Sequence, residues 1–162
     1  MIGLKIINYS SQYNESIKNL LVELQQYIAN IDKENFNVLT EEYREKYFEK
    51  TINEVNEHSG EIFLAVESGI VMGLIVGIVN NEDESTYDFN APKRGRVTEL
   101  VVSKKYRSNG IGKQLLDAME NYFKEIGCKG VLIDVFAYNE NAQSFYYKNG
   151  YFNRNIEIMK KI

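Results

Sequence analysis

The sequence predicts a mixed α/β domain, one sheet with helices packed on it, in the order β-α-α-β-β-β-α-β-α-β. Three observations lead there. Two helical apolar patterns occupy residues 10–55, ahead of two β-rich runs joined by Ser68-Gly69. A strand-like run, residues 97–103, leads through a glycine turn straight into a strongly helical stretch, residues 114–126. An alternating run at Val131, Ile133 and Val135 is followed by a short helical pattern and Gly150.

Residues 4–8 read as the first strand. Ser10 or Ser11 can cap a helix whose apolar positions are Ile17, Leu20, Leu21, Leu24 and Ile28. Residues 30–39 are polar and irregular. Thr40 suits an N-cap, with Glu41 and Glu42 in the first turn, where the helix dipole favours them. Tyr43, Tyr47, Phe48, Thr51, Ile52 and Val55 form one face of that second helix, and Gly60 ends it. Residues 62–67 and 70–80 form a hairpin around Ser68-Gly69.

A loop over residues 81–90 carries Glu82, Asp83, Glu84 and Asp88. It is either a solvated turn or an acidic rim that attracts amines. Lys93, Arg94 and Arg96 read as surface charge. In the strand of residues 97–103, Val97, Glu99 and Val101 share one phase, while Leu100 and Val102 hold the other. Either both faces are buried or a β-bulge shifts the phase near Glu99 and Leu100. Ile111, Leu115, Leu116, Met119, Phe123 and Ile126 define the inner face of the next helix, closed by Gly127. A strand over residues 131–137, a helix over residues 139–149 and one or two strands over residues 151–162 complete the chain.

The glycine turn, Tyr106 to Lys113, is the most informative stretch. The first amides of a helix have no intrahelical partner and sit at the positive end of its dipole. Gly110 and Gly112 carry no Cβ to hold an anion away, and they permit the turn's backbone. Arg107 and Lys113 add positive charge. The turn reads as a phosphate or pyrophosphate site. Gln114 follows Lys113, which breaks the Walker pattern, and Leu115 stands where a dinucleotide fingerprint needs its third glycine. An ordinary strand–helix turn with a tolerated glycine pair stays open.

Composition narrows the function classes. The chain has 162 residues with 44% hydrophobic and 26% charged content, enough for one domain, residues 1–162, with a real core. A net charge of -4 argues against nucleic acid as the main partner and is compatible with amine substrates. Cys128 is the only cysteine, so an intrachain disulfide is excluded and a reducing, cytoplasmic setting is expected. The N-terminus shows no signal-peptide pattern. The longest apolar run, residues 70–79, falls well short of the ~20 residues needed to span a bilayer, so no membrane role is expected. His58, the only histidine, reads as structural, and Cys128 as a small core residue. No residues have metal-ligand spacing, so no metal is expected.

Arg107-Ser108-Asn109-Gly110-Ile111-Gly112, following a strand, resembles the acyl-CoA signature of the GNAT superfamily of N-acetyltransferases. A second block, Asn139-x-x-Ala142-x-x-x-Tyr146-x-Lys148-x-Gly150-Tyr151, looks like that superfamily's other pattern at every position. The element order also agrees. The resemblance is strongest over residues 96–151 and weak over residues 1–60.

The resemblance implies an enzyme that uses acetyl-CoA as co-substrate and a primary amine as acceptor. It implies that the two central parallel strands, residues 97–103 and 131–137, splay apart at a bulge. The main chain of Leu100, Val101 and Val102 would bond the pantetheine arm and the thioester carbonyl. The amides of Asn109, Gly110, Ile111, Gly112 and Lys113 would hold the pyrophosphate, with Ser108 in the turn and Arg107 nearby. Asn139 would contact the cofactor from the other side, and Tyr146 would protonate the leaving thiolate. Glu99 would serve as base, directly or through water.

The chemistry makes demands on these groups. An alkylamine of pKa ~10.4 costs roughly 4–5 kcal/mol to deprotonate at neutral pH. A carboxylate at an ordinary pKa of ~4.3 is a poor base for that task, so a raised pKa or a water relay is expected of Glu99. Its bland alternative is an ion-pair partner on a sheet face. Tyr146 has a bland alternative too, packing a helix with Ala142 and Phe145; Tyr147, pointing elsewhere, is its control.

Acceptors in such a family include small metabolites, aminoglycosides, polyamines and protein N-termini or lysines. The acidic loop and low pI favour a small cationic amine or an antibiotic, with a protein N-terminus or lysine next. Tyr27, Asp32, Glu34 and Tyr43 are candidate lining residues. The alternatives from other classes are a CoA-binding regulatory domain without turnover and another phosphate-ligand domain. The resemblance also allows a homodimer.

Overall fold

The computed structural model describes residues 3–80 and 86–162. Glu82, Asp83 and Glu84, the core of the expected acidic rim, lie outside the described residues.

Five strands form one sheet in the order β1-β2-β3-β4-β5, with β1 Lys5–Asn8, β2 Glu61–Glu67, β3 Ile70–Val79, β4 Arg94–Val102 and β5 Gly130–Ile133. The first four pair antiparallel, and β4 pairs β5 in parallel. Helices α1 (Asn14–Ile31) and α2 (Tyr43–Glu57) precede β2; α3 (Ile111–Glu125) crosses from β4 to β5; α4 (Glu140–Lys148) follows β5. This is the mixed α/β order that the sequence predicts, without its terminal strand.

The sheet divides two apolar layers. On one face, Ile17, Leu20 and Leu21 of α1 and Phe48 of α2 pack on Ile62, Leu64, Leu74, Val76 and Val101. On the other, Ile111, Leu115, Leu116, Met119 and Phe123 of α3 pack on Ala65, Met72, Ile75 and Val97, with Tyr146 of α4. Each large apolar side chain so buried contributes roughly 1.5–3 kcal/mol, which makes these layers the main support of the fold. α3 lies hard against the sheet. A Cβ on Gly95 would fall 2.4 Å from the Phe123 ring, and one on Gly77 would fall 2.4 Å from Met119 Sδ.

Ser68 (φ 50°) and Gly69 (φ 79°) make the β2–β3 turn with two left-handed residues, which suits the twist of a hairpin. Gly127 and Gly150 close α3 and α4 at φ 86° and 87°.

Several expectations are corrected. α2 begins at Tyr43, not after Thr40; Thr40 instead forms a turn, its carbonyl accepting from Tyr43 N–H at 3.2 Å. Ser10 makes no capping bond, because a 3-10 turn, Ser11–Tyr13, intervenes before α1. After α2 the left-handed residue is Ser59 (φ 46°), and Gly60 is confined by the Gly77 carbonyl, 2.6 Å from where a Cβ would lie. β5 stops at Ile133 rather than residue 137. Residues 152–162 form no strand and are exposed, although Ile156 and Ile158 alternate. A strand exists only by pairing its backbone, and the four residues of β5 offer little ladder. Lys93 and Arg96 are not idle charges: Lys93 Nζ donates to the Ile126 carbonyl at 2.8 Å, at the end of α3, and Arg96 pairs with Asp134.

Candidate active site

The site grows from an irregularity in β4. Val76 pairs with Glu99 and Gly77 with Val97, so Thr98 has no opposite number in the β3–β4 ladder. That extra residue is a β-bulge, one position before the expected one, and it reverses the phase of the strand. Val97 packs toward α3, yet Val101, an even number of residues on, packs toward α1 and α2. Leu100 and Val102 now face α3.

β5 leaves at the same point. Its parallel pairing ends at Val97–Ile133, so residues 98–102 of β4 have no β5 partner. Ser103 N–H donates to the Met72 carbonyl at 2.9 Å. By the alternation of an antiparallel ladder, Val101 then turns its amide and carbonyl toward β3, and Leu100 and Val102 turn theirs to the open edge. Arg107 Nε, donating to the Val102 carbonyl at 2.9 Å, agrees with that.

Glu99 faces α2 beside this edge. The Tyr47 hydroxyl donates to its Oε1. Burial pushes its pKa from the usual 4.5 up to about 7; the Tyr47 bond and the Lys50 charge pull it down, and Glu54 pushes it up. Tyr47 itself is raised by burial and by the Glu99 charge, so it stays a protonated donor. Tyr47 was read from the sequence only as part of a helix face. The one signal available, Tyr43 and Tyr47 four residues apart, does not separate a buried hydroxyl with a task from ordinary packing.

Tyr146 is buried, 8% exposed, with its ring against Phe145 and Tyr151. Its hydroxyl has no hydrogen-bond partner among the described residues. Burial first, then the Glu99 charge, push its pKa up to about 12. The phenol is therefore protonated at neutral pH and within electrostatic reach of Glu99. Tyr147 points away, half-exposed, and donates to Asn153 Oδ1 at 2.8 Å.

The glycine turn follows β4. Gly110 is the N-cap of α3 in the left-handed region, φ 74°, and the helical ladder starts with Gln114 N–H to the Gly110 carbonyl at 3.2 Å. The amides of Ile111, Gly112 and Lys113 lie ahead of that ladder. Ser108 is also left-handed, φ 65°, and Asn109 Nδ2 ties the loop to the carbonyls of Tyr106 and Arg107 at 3.2 and 3.1 Å. Both expected cations hold local carboxylates: Arg107 meets Glu23 at 3.6 Å, and Lys113 meets Asp117. Such exposed pairs are worth at most about 1 kcal/mol, so a phosphate can displace them. The donor set fits a pyrophosphate.

Asn139 caps α4, its Oδ1 accepting from Ala142 N–H at 3.2 Å and from the Tyr27 hydroxyl at 3.4 Å. Of the expected lining residues, Tyr27 thus sits beside Asn139 and Arg107, and Tyr43 stacks on Tyr47 at 4.7 Å. Glu34 accepts from the Tyr138 hydroxyl at 2.8 Å. Asp32 turns its carboxylate into its own loop. It is buried and accepts from the amides of Glu34, Phe36 and Asn37, which hold its pKa down to about 2. An open depression of about 210 Å³ lies outside Tyr43 and Tyr47, edged by Thr40, Glu42, Lys46 and Lys50. A larger one lies between β1, β2 and α3, remote from these groups. Among the described residues no three His, Cys, Asp or Glu side chains gather as metal ligands, and no helix is long and apolar enough to cross a membrane.

Comparison with known proteins gives consistent findings. The family described as "Acetyltransferase (GNAT) family" matches residues 25–151. An uncharacterized N-acetyltransferase of Lactobacillus delbrueckii subsp. lactis is 27% identical over 158 residues, covering 93% of this chain and 85% of that one. A glucosamine 6-phosphate N-acetyltransferase of Arabidopsis thaliana is 24% identical over 113 residues, 70% of this chain and 74% of its own. Among solved structures, AAC(6')-Iy in complex with the bisubstrate analog CoA-S-monomethyl-acetylneamine superposes with a TM-score of 0.68 at 16% identity, covering 98% of this chain and 99% of that one.

Proposed function

The chain belongs to the acetyltransferase (GNAT) family, and we propose that it moves an acetyl group from acetyl-CoA to the primary amine of a small cationic acceptor, a metabolite or an aminoglycoside-type antibiotic. One observation carries the reading. A buried carboxyl with its pKa raised to about 7 and an unpartnered, protonated tyrosine flank a β4 edge that leads into the glycine turn.

Acetyl-CoA supplies the activated acyl carbon. The amides of Ile111, Gly112 and Lys113, with Asn109, Gly110 and Ser108 shaping the turn, would hold its pyrophosphate, and Arg107 and Lys113 would exchange carboxylate partners for it. The main chain of Leu100 and Val102 would align the pantetheine along the open edge, with Val101 bonded into the sheet beneath. Asn139, its Oδ1 committed to capping α4, would offer its side-chain NH2.

Glu99 would take the proton from the acceptor ammonium, directly or through water, as the nitrogen lone pair forms the new C–N bond. At about 7 rather than 4.5, its affinity for that proton suits neutral pH. The C–S bond breaks, the Tyr146 phenol would give its proton to the departing thiolate sulfur, and the second proton that the nitrogen sheds on becoming an amide would return through water to the phenolate.

The second reading concerns the acceptor. Lys46 and Lys50 edge the depression outside Tyr47 against one carboxylate, Glu42, which pairs with Lys46 at 3.6 Å, and the excess of one positive charge favours an amine that also bears an anionic group, such as an amino-sugar phosphate. The deciding experiment measures thiol release from acetyl-CoA with aminoglycosides, polyamines, amino-sugar phosphates and N-terminal peptides, with Tyr146→Phe and Glu99→Gln alongside. Release driven by one amine class and suppressed in both variants supports the reading. Acetyl-CoA binding without release for any amine favours a domain without turnover.

A further inference from the structure

We propose that Tyr47 is a positioning residue for Glu99: its hydroxyl, fixed by its place on α2, holds one carboxylate oxygen and leaves the other for the acceptor's proton. The proposal rests on the reading of Glu99 as base.

The geometry begins with how firmly Tyr47 is held. Its ring stacks on Tyr43 one helical turn earlier, at 4.7 Å between centroids and 13° between planes. The Lys50 ammonium lies 5.4 Å from its centroid. The Tyr47 carbonyl accepts from Thr51 Oγ1 at 2.8 Å, and Thr51 is buried at 4% exposure. A tyrosine so held has little freedom to aim elsewhere. Its hydroxyl is donated to Glu99 Oε1, and Glu99 Oε2 has no protein partner among the described residues.

A donor to one oxygen does two things. It fixes the rotation of the carboxylate plane, so the second oxygen has a defined direction. It also stabilises the ionised form against the burial that favours the neutral one. A base buried without such a donor would be protonated, and idle, over most of the neutral range. The groups that face Glu99 are Tyr43, Tyr47, Lys50 and Glu54 from α2 and Tyr146 from α4. Glu54 opposes ionisation; Lys50 assists it as a charge; Tyr47 alone bonds to the carboxylate.

The test compares Tyr47→Phe with the unaltered chain in two measurements. The first titrates the Glu99 side-chain carboxyl by carbon NMR, assigned with Glu99→Gln. The second follows kcat/KM for the acceptor amine against pH. The phenyl ring keeps the stacking and loses only the hydroxyl. The expected result is that the Glu99 midpoint and the acid limb of kcat/KM both move up by about 0.5–1.5 pH units. Activity at pH 7 then falls several-fold and recovers above pH 8.5, while KM for acetyl-CoA is unchanged. A carboxyl midpoint that stays in place overturns the role of Tyr47 and leaves Glu99 as base untouched. A midpoint that moves while the kinetic limb stays overturns the proposal through its premise, because Glu99 is then not the group that limits turnover. A pH-independent loss with neither shift assigns Tyr47 to packing alone and also overturns it.

Discussion

Glu99 and Tyr146 belong to opposite faces of the sheet, yet the Glu99 charge helps to hold the Tyr146 phenol protonated. That reach exists where β5 has already stopped pairing with β4. The phenol, raised to about 12, carries its proton throughout the neutral range, as an ordinary tyrosine of pKa ~10 also does. Tyr146→Phe is expected to lower kcat by about 10²-fold, within the usual contribution of a positioned acid. Tyr147→Phe is expected to change kcat less than twofold. Steady-state thiol release measures both.

The pH profile follows from Glu99. The base acts in its ionised form, and its pKa is raised to about 7. Below that value the ionised fraction, and with it kcat/KM, falls about tenfold per pH unit; above it the profile levels until another group intervenes. Glu99→Gln is expected to remove this limb along with roughly 10²–10³-fold of the rate. A profile of kcat/KM between pH 5 and 9 checks it.

The same shift makes a statement about stability. A carboxyl whose folded pKa lies above its unfolded value binds more protons when folded. Stability therefore falls as pH rises from about 4.5 through about 7. Glutamine has no charge to desolvate and avoids that loss. Glu99→Gln is expected to be more stable than the unaltered chain by roughly 1–3 kcal/mol at pH 8, and by much less at pH 5. Urea unfolding at the two pH values reads the difference.

Two glycines separate conformation from space. A Cβ on Gly110 meets nothing within 4 Å, so Gly110→Ala is opposed only by its left-handed backbone, φ 74°. It is expected to cost about 1–2 kcal/mol of stability and to raise KM for acetyl-CoA. A Cβ on Gly95 meets the Phe123 ring at 2.4 Å. Gly95→Ala is expected to cost about 1–3 kcal/mol through overpacking and to leave KM for acetyl-CoA unchanged once the protein is folded. Thermal melts paired with acetyl-CoA kinetics distinguish the two.

Most of the fold was legible because its signals are local and periodic. The inner face of α3, the Ser68-Gly69 hairpin and the glycines after α3 and α4 announce themselves within a few residues. The bulge was legible as a broken alternation, and the structure moved it by one position, to Thr98. The misjudged features depend on partners distant in sequence. Asp32 looked like a site carboxylate and instead organises the loop after α1, since four bonds to Glu34, Phe36 and Asn37 are invisible in a spacing pattern. Tyr47 was hidden for the opposite reason: its helical position explained it fully until its hydroxyl met a carboxylate 52 residues away. Residues 156–158 carry a strand's alternation, but pattern does not supply a neighbouring edge.

The bulge at Thr98 turns β4 into two half-strands whose odd and even counts are out of step. Val97 answers to the α3 layer and Glu99 to the α2 layer although both are odd-numbered, and the offset of one residue is the whole reason. Exchanging Thr98 for another residue leaves that count intact. Deleting it would leave Val97 opposite Gly77 and Glu99 opposite Val76, each on its present face, and would remove instead the extra residue beyond which β4 has no β5 partner. The presence of an extra residue at this point, more than its chemistry, marks where the strand's second edge falls open.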